Sequence, residues 1–153
     1  ASSKQQAASS KQQAASSKQQ AAISRHKVKK FPRMGLKEVA GMRFESLKVW
    51  QRSVELSVEV YEHFAGHRDF GFRDQITRSS LSVPSNIAEG YERQSDREKA
   101  QFLNYAKASA GELRTQVHIG NRIGYIPEAV GSRWIDEAEQ LSRMLFAIIR
   151  TMQ

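Results

Sequence analysis

From residue 44 onward the apolar residues return every three or four positions, and no stretch alternates as a half-buried strand does. That period commits the region to helices. Its first helical pattern, over residues 46–64, carries two apolar stripes. At about 100° per residue, Leu47, Trp50, Val54, Val58 and Tyr61 share one side. Val49, Leu56 and Val60 form a second stripe, displaced by roughly 140–150°. Lys48, Arg52, Glu55, Glu59 and Glu62 fill the remaining arc. Two readings follow: one broad core face, or a core face plus a subunit contact. On the second, Val49, Leu56 and Val60 line the oligomer interface.

Gly66 ends this helix, and a second begins near Phe70 with Phe72, Ile76, Ser79, Ser80, Val83 and Ile87 on one side. Pro84 lies inside it. Proline removes the hydrogen bond to the Ser80 carbonyl, so the pattern predicts a kink or short break over 82–84. Asn86 stands where its side chain can satisfy a freed carbonyl, a structural role rather than a catalytic one. Ser95 with Glu98 is a capping box that opens a third helix over about 96–123. Its inner face is Phe102, Ala106, Leu113, Val117 and Gly120, and Gly124 closes it. Pro127 suits the first position of a fourth helix, whose apolar set is Trp134, Ala138, Leu141, Leu145, Ile148, Ile149 and Met152. Four helices joined by short turns predict an all-α, up-down-up-down four-helix bundle.

The charge lies elsewhere. Residues 1–43 hold ten bases against one acid, and residues 44–153 hold fourteen bases against fifteen acids. The basic excess therefore belongs to the N-terminal tail, not to the bundle. That tail begins with three copies of Ala-Ser-Ser-Lys-Gln-Gln-Ala, too poor in apolar residues for a coiled-coil seam, and is expected to be disordered. A Ser-rich, acid-poor transit peptide is the alternative. Arg25, Lys27, Lys29 and Lys30 follow, as a nucleic-acid arm or a solvated run. The first methionines are Met34 and Met42, and Met42 directly precedes the periodic region. The expected division is a tail over 1–41 and a bundle over 42–153, the tail being translated leader sequence.

Several chemistries have no residues to carry them. Without cysteine there is no disulfide, thiolate metal site or cysteine nucleophile. There is no Glu-x-x-His of a di-metal bundle, no phosphate-cradling glycine loop and no Gly-x-Ser-x-Gly elbow. His63 and His67 have the spacing of a zinc pair, but Gly66 lies between them and both are off the apolar stripes, so they read as solvated. Around the second loop Glu89, Glu92, Asp96 and Glu98 alternate with Arg93, Arg97 and Lys99, a mixed surface whose cations are candidate nucleic-acid contacts. No apolar run reaches the roughly 18–20 residues of a membrane span. The expectation is a soluble cytoplasmic protein that is not an enzyme and takes no cofactor, metal or small-molecule substrate.

Phe44-Glu45-Ser46-Leu47-Lys48-Val49-Trp50-Gln51 resembles the opening of the bacterial four-helix-bundle family encoded by intervening sequences in 23S rRNA genes. Gln75-Ile76, Arg78-Ser79-Ser80 and Ser85-Asn86-Ile87-Ala88-Glu89-Gly90 resemble its central signature. Phe102, Ala106, Ser109, Glu112-Leu113 and Ile123-Gly124-Tyr125 extend the likeness, which spans about 42–152 and leaves out the tail. A related bundle is the accessory protein of diversity-generating retroelements. The resemblance implies a ring, a homopentamer, without catalytic activity, and makes Pro84, Asn86, Glu89 and Gly90 a structural motif. Four functions compete. The first is a non-catalytic oligomeric interaction protein with RNA or a nucleoprotein as partner; the alternative is a purely structural bundle with protein partners. An enzyme or metal-binding bundle lacks the residues, and a helix-turn-helix regulator lacks the short glycine turn.

Overall fold

The computed structural model describes residues 43–152. The tail cations Arg25, Lys27, Lys29 and Lys30, and the expected disorder of the repeats, lie outside the described residues. Within them a 3-10 turn, Phe44–Ser46, leads into α1 (Lys48–Phe64), α2 (Phe70–Tyr91), α3 (Asp96–Arg122) and α4 (Glu128–Arg150), with no strand. Consecutive helices pack side by side and α4 returns to α1, giving the expected up-down-up-down four-helix bundle.

Local chemistry sets the helix ends. Asp69 caps α2 by accepting the Phe72 N–H at 3.0 Å. Ser95 and Glu98 form the capping box: the Glu98 N–H reaches Ser95 Oγ at 3.3 Å, and that hydroxyl donates to the Glu98 carboxylate at 2.7 Å. Gly124 follows α3 at φ 77°, the left-handed conformation that only glycine adopts cheaply. Pro127 sits one residue earlier than the sequence suggests, capping α4 rather than opening it.

The core settles the two stripes of α1. Val49, Leu56 and Val60 are 1%, 4% and 0% exposed, and with Phe64 they pack into the single core of one chain. They line no subunit contact, which corrects the expectation above. The other stripe is the outer one: Trp50, Val54 and Val58 are half-buried and Tyr61 is 45% exposed. The roles are inverted because the buried face includes Ser53 and Ser57, which look like solvent positions in sequence. Each has a partner: Ser53 Oγ donates to the Trp50 carbonyl at 2.7 Å, and Ser57 Oγ pairs with Ser80 Oγ at 3.2 Å. Small hydroxyls let the helix approach α2 closely while staying hydrogen-bonded.

Helix α2 runs unbroken from Phe70 to Tyr91 through the buried Pro84, so of the kink or short break expected over 82–84 the break is absent. The Asn86 role also changes. Its Nδ2 donates to the Ser82 carbonyl (2.8 Å) and Ser82 Oγ (2.9 Å), not to the Ser80 carbonyl that proline frees. Ser82 Oγ in turn meets Ser109 Oγ at 2.8 Å, so Asn86 opens a polar relay from α2 to α3. Gly90 has a packing reason: a Cβ there would stand 3.1 Å from Phe102 Cβ and 3.2 Å from the Lys99 carbonyl oxygen. Glu89 pairs with Arg93 on the surface.

Candidate interaction surfaces

Three surface regions carry more than isolated side chains. The first is the junction of α1 with the turns at its end of the bundle. His63 Nε2 donates to the Tyr125 carbonyl at 2.9 Å, with its ring edge-on to Trp134. His67 lies against the Tyr125 ring, 4.3 Å between centroids, and its Nδ1 accepts the Asp69 N–H at 3.3 Å. Tyr125 Oη donates to Asp69 Oδ2 at 3.1 Å. Asp69 is held below the usual carboxylate range, chiefly by the Phe72 N–H and then by the Tyr125 hydroxyl, and Tyr125 is raised in return by Asp69. The two histidines thus tie the end of α1 and the turn that follows it to the α3–α4 turn. No group of three or more metal-ligating side chains comes together among the described residues.

The second region is the outer side of α1 and α2. The half-buried stripe Trp50, Val54 and Val58 continues into Tyr61. Across the helix pair lies Leu81, 49% exposed, and between them opens a groove of about 540 Å³ lined by Tyr61, Phe64, Arg73, Thr77, Arg78 and Leu81. Arg73 is spent on Asp74 at 3.0 Å and on the Phe70 ring.

The third region is the seam between α3 and α4. The candidate patch Arg93, Arg97 and Lys99 is not assembled there as a unit. Arg93 pairs with Glu89 over the Phe102 ring, and Lys99 lies over Tyr91 and near Asp96. Two residues apart on a helix means about 160° apart, so Arg97 faces elsewhere. It lines a groove of about 370 Å³ with Ala100, Gln101, Asn104, Tyr105 and Met152. One turn further along α3, Lys107 sits over the Phe146 ring of α4 at 5.1 Å, and Arg150 approaches the same ring at 5.9 Å. Arg114 and Arg143 then share Glu139, at 3.2 and 3.0 Å. Sequence reasoning missed Tyr105, Lys107, Phe146 and Arg150. Phe146 and Arg150, at i and i+4 on one helix, were the available signal.

The model of one protein family, the 23S rRNA-intervening sequence protein, matches residues 45–147. The chain belongs to that family. The match takes in every helix, though α4 only in part, and excludes the tail. A solved structure from Bacteroides thetaiotaomicron, a protein of unknown function from the S23 ribosomal protein family, is similar at 26% identity. The likeness covers 66% of this chain and 97% of that one, with a TM-score of 0.62. None of the curated proteins matches. For an rRNA-intervening sequence protein, the outer α1–α2 side and the α3–α4 seam are the surfaces left to explain. No helix among the described residues is long and apolar enough to cross a membrane.

Proposed function

We propose that this chain is a non-catalytic interaction protein of the cytoplasm that assembles with copies of itself, into the ring of five that the family resemblance implies, and takes RNA as its partner. The observation that carries the assembly is the outer stripe of α1. The bundle completes its core with Val49, Leu56, Val60 and Phe64, and still leaves Trp50, Val54, Val58, Tyr61 and Leu81 partly in water. A contiguous apolar surface beside a finished core is where a second protein surface repays its burial. The contact is thus assigned to the stripe opposite the one that sequence favoured.

Light scattering on the full chain tests this reading. A defined assembly at micromolar concentration is expected, and Val58→Glu with Leu81→Glu should dissociate it while leaving helicity intact. A stable wild-type monomer overturns the reading. So does an assembly indifferent to both charges.

A further inference from the structure

The bundle as a whole is nearly neutral, yet its charge is not evenly mixed. Along the α3–α4 seam five cations, Arg97, Lys107, Arg114, Arg143 and Arg150, are answered in the contacts of the described residues by one carboxylate, Glu139. Asp96 and Glu98, the acids that flank Arg97 in sequence, are engaged with Lys99 at 3.9 Å and with the Ser95 hydroxyl at 2.7 Å. Two large aromatic side chains stand among these cations in water, Tyr105 at 48% and Phe146 at 50% exposure. Neither is needed to close the core.

We propose that this seam binds a single-stranded stretch of RNA, an inference that rests on the RNA reading above and gives it a site. Phosphates follow the line of cations, and bases stack on Tyr105 and Phe146. Every base has a π-face, so such platforms tolerate sequence, and each stacked base is worth enough to matter beside the electrostatic term. At Phe146 the exchange is concrete. A base that takes the ring face displaces Lys107 or Arg150, and the released cation is then free for a phosphate oxygen. At the other end, Gln101 and Asn104 spend amide N–H groups on Tyr105 Oη (2.7 Å) and the Ala100 carbonyl (3.0 Å). Their oxygens remain as acceptors in the groove, suited to a base amino group or a ribose 2′-hydroxyl. A duplex offers no free base faces to this surface, so the chemistry selects a single strand.

The test uses the full chain, a labelled uridine oligomer, its deoxy counterpart and an RNA duplex of equal length, at two salt concentrations. Two double variants are compared: Tyr105→Ala with Phe146→Ala, and Lys107→Glu with Arg150→Glu. All four positions lie at the surface or are half-buried, and circular dichroism checks that helicity is kept. The aromatic variant should weaken single-strand binding about tenfold or more and leave duplex binding unchanged. The charge variant should weaken it too, and flatten the log–log salt dependence by roughly 0.7 for each phosphate that is no longer neutralised. If wild type binds the single strand and neither variant changes its affinity, the seam is not the site, while the RNA reading survives through the tail. If wild type binds none of the three probes, the RNA reading itself falls. Equal affinity for the deoxy oligomer overturns the assignment to RNA in favour of any single strand.

Discussion

Helices α2 and α3 meet through small groups, whereas α1 and α4 meet through long ones. On the first seam Ser82 faces Ser109, Ser79 reaches Gln116, and Gly90 lets the backbone near Lys99 come within contact distance. On the second, Arg52 clasps Glu137 through two hydrogen bonds of 2.7 and 2.6 Å and extends to Gln140. Glu59 accepts from both Arg133 (2.6 Å) and Trp134 Nε1 (2.9 Å). Beneath these arms lies a cavity of about 250 Å³, walled by Leu56 and Trp134. The same fold thus closes one pair of helices by proximity and bolts the other across a gap. Proximity tolerates no added volume. A bolted seam tolerates a change of shape, and its strength rests on matched charges.

The largest effect is expected where volume is added to the close seam. Gly90→Val places a branched side chain against Phe102 and a backbone carbonyl that cannot move, and should cost about 2–3 kcal/mol in denaturant unfolding. A cost under about 0.5 kcal/mol would show that the seam is looser than its geometry. Next comes the bolt. Glu137 holds the Arg52 guanidinium above its ordinary value, chiefly through the hydrogen bonds, with burial opposing. Arg52→Met should therefore cost about 1–2 kcal/mol, because Glu137 is left half-buried and unpaired. Adding Glu137→Leu should recover most of that loss, since two apolar chains replace the pair without a stranded charge. No recovery in the double variant would mean that the charges hold more than each other. The smallest effect belongs to the relay: Asn86→Ala should cost about 1 kcal/mol, with Ser82 keeping its bond to Ser109. A neutral result would reduce Asn86 to a surface amide.

The sequence made the four helices, their order and the Ser95–Glu98 cap of α3 legible, because periodicity and that pair are local signals. It could not say which stripe of α1 turned inward. The longer apolar stripe is Leu47, Trp50, Val54, Val58 and Tyr61, while the face that turned inward owes its place to Ser53, Ser57 and Phe64, whose value depends on what lies across from them. Pro84 misled in a similar way. Its local penalty predicts a kink or a short break, and packing of Val83, Pro84 and Ile87 into the core holds the helix without the break. For the candidate surfaces, charge could be counted in sequence but not grouped. Arg93, Arg97 and Lys99 are neighbours in the chain and point apart, while Lys107 and Phe146 are distant in the chain and touch.

The bolted seam is also where the fold closes on itself. Contacts from α1 to α2, from α2 to α3 and from α3 to α4 join helices that follow one another, so each closes a short loop. Arg52 and Glu137 are 85 residues apart, and their meeting closes a far longer one. The charged arms are thus set at the seam of highest contact order in the bundle.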